Sequence, residues 1–206
     1  MNCLAVIAEL KRCSVAIRYN DNVFFENQNA DSSSKLAYLV DNLMKTNKIK
    51  FSKLQQIVTI SGPGSFTGIR VAQSLCKGLA FALKIPATSI TYFDLLSHMC
   101  EDKNNKQLIV IHSEKDQYYY KYNEEISVTP KENFANFVKD KVVIIGENTE
   151  EIQNIIPEQT LACFEYNNFR DANNLLLYAD YIIDKVSPIY INAQRSLSPI
   201  KSLKYN

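Results

Sequence analysis

Gly62-Pro63-Gly64-Ser65-Phe66-Thr67-Gly68 holds three of the chain's five glycines, and Ile69-Arg70-Val71 follows directly. Glycine lets a backbone adopt positive φ or pass close to another group, and Pro63 fixes φ between two of these glycines. Upstream, Gln56-Ile57-Val58-Thr59-Ile60 is rich in β-branched residues and reads as a buried strand. Downstream, Thr67 to Leu83 reads as a helix. A strand-to-helix turn presents unpaired N–H groups and partial positive charge, which suits an anion. Two readings stay open: Ser65 and Thr67 hold a phosphate at the helix start, or the turn acts only by aiming the helix. The spacing is not a Walker A loop, because no Gly-Lys-Ser/Thr closes it. It is not the dinucleotide fingerprint either, since Gly68 falls one residue late.

Other chemistry-bearing residues are scattered. The two histidines, His98 and His112, are far apart, and no metal-ligand spacing links them to cysteine or carboxylate. No catalytic residue and no metal site are expected, so a peptidase has no zinc ligands to rest on. Asp94, Glu114, Asp116 and Glu147 read as solvated carboxylates. Ser65 is outside any Gly-x-Ser-x-Gly elbow. Tyr118, Tyr120 and Tyr122 share one face at strand spacing and read as half-buried sheet, with base stacking as the alternative. Arg70 lies in a first helical turn, where a cation opposes the dipole, and this points to a specific contact.

The elements that must position these groups alternate along the chain. Cys3 to Ala8, Ser14 to Tyr19 and Val23 to Asn27 read as an antiparallel meander. Asp31-Ser32-Ser33-Ser34 offers N-caps for a helix from Lys35 to Lys45, whose Leu36, Leu39, Val40, Leu43 and Met44 form an apolar stripe. The helix from Thr67 is apolar nearly all round and rich in small residues, so it needs cover on more than one side. Ile85-Pro86 ends it, and a helix near Phe93 to Cys100 follows. The polar run Glu101 to Lys106 is the expected boundary between lobes 1–102 and 103–206. Beyond it come a hairpin of Leu108 to His112 with Tyr118 to Tyr122, and a short strand Ile126 to Val128. A helix near Glu132 to Lys139, a strand Val142 to Ile145 and a helix near Glu150 to Ile155 continue the order. Asp171 is the expected N-cap of a last helix reaching Lys185. The pattern implies an α/β protein of two related lobes.

Two hundred and six residues bury roughly 70% of the unfolded surface. A net charge of +1 provides no broad basic field for nucleic acid or membrane. Five cysteines without a Cys-x-x-Cys pair, no export signal and no membrane-length apolar run fit reduced thiols and a cytoplasmic address.

The decapeptide Gly62 to Val71, set after a β-rich strand, resembles the signature of the TsaB (YeaZ, glycoprotease-like) family. Leu4-Ala5-Val6, Cys13-Ser14-Val15-Ala16-Ile17 and Pro188-Ile189-Tyr190-Ile191 extend the resemblance. It implies a two-lobed fold of the actin, sugar-kinase and Hsp70 type, with mixed sheets flanked by helices. It also implies a non-catalytic paralogue that binds TsaD in making threonylcarbamoyladenosine beside the tRNA anticodon. TsaE joins the pair, tRNA is reached only through the complex, and the isolated chain pairs with itself. Leu36, Leu39, Val40, Leu43, Ile69, Arg70, Ala72, Gln73, Cys76 and Ala80 are the expected partner contacts. A charge at Ala72 or Cys76 is therefore expected to separate subunits. No cofactor of its own is implied, and nucleotide has a place only at the complex interface. Three positions depart from the family pattern. Ile7-Ala8 replaces Asp-Thr, Ser32-Ser33-Ser34 replaces His-Thr-Gln, and His112-Ser113-Glu114 replaces Asp-Ala-Arg. The alternative function is an ATPase or kinase on the same fold, disfavoured by Ile7 where an acid would handle the metal.

Overall fold

The computed structural model describes residues 1–9, 11–29, 32–113, 117–181 and 186. Asp31, Glu114, Asp116, Ile182, Ile183, Lys185 and Pro188-Ile189-Tyr190-Ile191 lie outside the described residues, as do the side chains of Ser32, Ser33 and Ser34. The chain divides into two compact units: Met1–His98 joined by the described residues from Asn168 onward, and Met99–Asn167. The expected division at residue 102 placed everything after it in the second lobe. The structure instead returns the last helical segment to the first unit.

In the first unit, β1 (Cys3–Ala8), β2 (Cys13–Tyr19) and β3 (Asn22–Gln28) form the expected meander. Helix α1 (Ser32–Thr46) leads to β4 (Gln56–Gly62), helix α2 (Phe66–Leu83) and β5 (Ala87–Thr91). Strands β4 and β5 run parallel to β1, giving the order β3-β2-β1-β4-β5. Side chains alternate across a strand. Leu4, Val6, Ala8, Val15 and Ile17 thus face α1 and α2 and pack with Leu36, Leu39, Leu43, Ala72 and Cys76 in one core. Helix α2 stops where Lys84 takes the left-handed conformation and donates its N–H to Ala80 and Phe81, ahead of Pro86. Helix α3 (Tyr92–Met99) is capped by Thr91: the Asp94 N–H donates to Thr91 Oγ1 at 3.0 Å, and that hydroxyl donates to Asp94 Oδ2 at 2.6 Å.

The second unit repeats the plan. Strands β6 (Gln107–His112), β7 (Gln117–Tyr122) and β8 (Glu125–Pro130) form a meander. A short α4 (Phe134–Phe137), β9 (Val142–Gly146), α5 (Thr149–Ile155) and β10 (Thr160–Glu165) follow. The order β10-β9-β6-β7-β8 is the first sheet's order read from the other edge. Tyr118, Tyr120 and Tyr122 are buried together against Phe134 and Phe137, as the half-buried reading expected.

Helix α6 (Ala172–Leu177) belongs to the first unit and packs on β1 and β2. Its Ala172 N–H donates to Ser14 Oγ at 2.7 Å, on the sheet face opposite α1 and α2. It is shorter than expected, ending at Tyr178. Asp171 stands at its N-cap without a capping bond; the carboxylate is instead paired with Arg12. Among the described residues no helix is long and apolar enough to cross a membrane.

Candidate functional site

The end of β1, the glycine turn and the start of α2 meet at one point. Ser65 caps α2, accepting the Gly68 N–H on its own hydroxyl at 3.2 Å. Gly68 lies directly against the end of β1: a Cβ there would overlap the Ala8 carbonyl oxygen and stand 2.8 Å from its carbon. The requirement is therefore close approach, with no room for any other residue type.

Glu9 occupies the position where an anion would face this turn. The Ser65 N–H donates to Glu9 Oε2 at 3.2 Å, and the Tyr92 hydroxyl donates to Oε1 at 2.8 Å. Arg170 Nη1 completes the set at 3.4 Å from Oε1. The side chains of Glu9 and Arg170 are only 13% and 20% exposed, so this carboxylate is largely removed from water and held by an amide, a phenol and a guanidinium. Arg170 also lies over the rings of Tyr92 and Phe169, 5.4 and 5.0 Å from their centroids, and those rings meet edge to face. Gly64 leaves the carboxylate its room, since a Cβ there would come 3.0 Å from Oε1. Sequence reasoning passed over Glu9, Tyr92 and Arg170. The signal available was an acid just past a buried strand, beside a turn rich in free N–H groups.

The ten expected partner contacts separate cleanly. Leu36, Leu39, Val40, Leu43, Ile69, Ala72, Gln73, Cys76 and Ala80 are all buried. Gln73 donates to the Ile60 carbonyl at 3.2 Å, and the apolar ones line the first unit's own core or lie buried beside it. They are corrected to core positions; the sheet covers the stripe that the sequence left open to a partner. Arg70 alone is exposed, with its guanidinium 4.0 Å from the centroid of the Phe66 ring. Phe66, Arg70, Ser74, Lys77, Gly78 and Phe81 run along the exposed stripe of α2, and Tyr38 is exposed on α1.

The remaining candidates have structural settings. His98 stacks on Tyr178 at 5.5 Å, and exposed His112 meets the edge of Tyr118 at 5.2 Å. Glu147 Oε2 accepts the His112 N–H at 3.0 Å. Among the described residues, no group of three His, Cys, Asp or Glu is placed to hold a metal ion.

The family model described as TsaD, tRNA N6-adenosine threonylcarbamoyltransferase, matches residues 25–163. The chain belongs to the TsaD family, with the TsaB (YeaZ) proteins within it. The TsaB protein of Buchnera aphidicola subsp. Acyrthosiphon pisum is 23% identical over 206 residues, covering 98% of this chain and 88% of its own. The TsaB protein of Haemophilus influenzae is 21% identical over 186 residues, covering 88% and 75%. A solved Pseudomonas aeruginosa protein described as similar to peptidase YEAZ superposes with a TM-score of 0.70 at 20% identity, over 93% of this chain and 99% of that one. Two mixed sheets of one strand order, flanked by helices, are the two-lobed α/β arrangement that the sequence implied, and it is the fold of the solved YeaZ-like protein. The TsaB (YeaZ) resemblance first seen in Gly62 to Val71 thus extends over the greater part of the chain.

Proposed function

We propose that this chain is a non-catalytic subunit in the biosynthesis of tRNA threonylcarbamoyladenosine, one that binds a TsaD partner through α1 and α2. The relatives are named for that biosynthesis, and the family model carries the name of the transferase. The observation that carries the partner-binding role is the exposed stripe of α2, where Phe81 is 89% and Phe66 56% exposed, with Tyr38 63% exposed on the neighbouring helix. Exposed aromatic residues gathered on one helix pair favour an interface that excludes water around them. The non-catalytic role is supported by the buried, apolar end of β1, where Ile7 and Ala8 provide no acid for a metal-bound nucleotide. TsaE joins this assembly, tRNA is reached through the complex, and the isolated chain pairs with itself on the same helices. The chain carries no cofactor of its own, and any nucleotide is held at the complex interface.

Co-purification with TsaD tests the reading. Phe81→Glu is expected to fold with an unchanged Tm and to lose at least about tenfold in TsaD affinity, as interfacial aromatics do. Ala72→Glu, which the sequence alone offered as the diagnostic change, is expected to unfold the first unit instead, because it buries a charge in the core. Unchanged TsaD binding by a folded Phe81→Glu chain overturns the proposed surface. Turnover of Mg-ATP by the isolated wild-type chain would replace the scaffold with an ATPase or kinase.

A further inference from the structure

We infer that Glu9 is a built-in anion that closes the glycine turn, so that the loop most suggestive of phosphate binding is already filled by the chain itself. An external phosphate at the start of α2 would need N–H donors and a cation. The Ser65 N–H, the Tyr92 hydroxyl and Arg170 are those groups, and all three point at one carboxylate. The occupant is part of the fold. Glu9 follows β1 directly, its N–H donates to the Arg12 carbonyl at 2.7 Å, and Gly64 makes space for its side chain. Arg170 is tied in turn by Phe169, which is fully buried, and by Asp171, which pairs with Arg12. A carboxylate held by an amide, a phenol and a guanidinium satisfies charge and hydrogen bonding together, and a free anion would have to displace it. The contact is autoinhibitory in the plain sense: it keeps phosphate out of the turn. It stands apart from the partner-binding proposal, because it concerns only what this loop binds.

The test compares wild type, Glu9→Ala and Glu9→Ala/Arg170→Ala as full-length chains, with inorganic phosphate as the probe and chloride at matched ionic strength as the control. Wild type is expected to show no phosphate-specific shift in Tm. Glu9→Ala is expected to gain one, of about 3 °C when phosphate is tenfold above its Kd, and the double variant is expected to lose that gain. The Ser65 amide resonance should move on phosphate addition in Glu9→Ala only. If Glu9→Ala does not fold, Glu9→Gln keeps the side chain's shape while removing its charge, and it should show a smaller phosphate response. A phosphate response in wild type, or none in a folded Glu9 variant, overturns the inference.

Discussion

Gly68 shows how one missing side chain sets the aim of an eighteen-residue helix. The N-terminus of α2 rests on the last peptide of β1, and any Cβ at this position strikes the Ala8 carbonyl. Gly68→Ala is therefore expected to cost about 1–3 kcal/mol by forcing backbone apart, measured as a lowered urea midpoint. Ser65→Ala should cost about 1 kcal/mol, because it removes only a cap. Equal losses in the two would show that the helix tolerates displacement from β1. The cysteines give a second expectation at this scale. Burial raises the Cys3 and Cys76 thiols to about 12, so neither forms thiolate near neutral pH. An alkylating reagent at pH 8 should modify Cys163, the least buried of the five, well before Cys3 or Cys76, which should react only on unfolding. Early labelling of Cys76 in the native chain would contradict its place beneath the sheet.

Among the elements, the second unit's helices and strands are fastened at their surface by carboxylates. Lys106 and the Tyr122 hydroxyl hold Asp140 below its ordinary value of 3.8. Lys131 and Tyr118 likewise lower Glu151, which links α5 to β7. A depressed folded pKa stabilises above the unfolded pKa, and the contribution disappears as pH falls through the folded one. The second unit should therefore lose stability on acidification below the ordinary carboxylate range. Asp140→Asn should flatten part of that loss, as followed by Tm against pH. An unchanged profile would mean that solvent screens these exposed pairs completely. The same elements show where sequence reading reaches its limit. The meanders and the tyrosine face were legible, because period-two burial writes itself into residue type. Strands β5 and β10 were not. Ala87-Thr88-Ser89-Ile90-Thr91 has a single large apolar residue, and β10 is half exposed at a sheet edge. Their strand state comes from parallel pairing with β4 and β9, which no local pattern records. The helix expected near Glu132 to Lys139 shrank to a 3-10 turn and four α-helical residues, of which only Phe134 is buried, so little burial supports a longer helix there. The stripe Leu36 to Leu43 was legible as an apolar helix face but was assigned to a partner, because a stripe does not say what buries it. Alternation of Leu4, Val6 and Ala8 on the facing strand decides that. Glu9 was hidden because its partners lie at Tyr92 and Arg170, brought together only by the fold.

Taken as a whole, the chain completes its first unit only with residues from its far end. Arg12 pairs with Asp171, Arg18 with Asp180 at 2.8 Å, Ser14 accepts the Ala172 N–H, and Gln56 donates to the Ala179 carbonyl at 3.2 Å. A chain truncated after Asn167 should keep hydrogen-exchange protection at Val110 and Ile144 while losing it at Ala5 and Val58. Equal protection in both sheets would show that α6 is dispensable. The return of α6 also has a meaning in time. The first sheet emerges from the ribosome early, but one of its faces stays bare until Ala172–Leu177 has been made. At about 5–20 residues per second, the whole inserted unit must be translated first, a delay on the order of several seconds. The described part of the second unit, Met99–Asn167, by contrast, lies wholly ahead of α6 in the chain. The nascent chain is thus expected to mature from the middle outward, its later-made unit settling before its earlier one. During that interval the apolar face of β1 and β2 is a natural landing place for a chaperone.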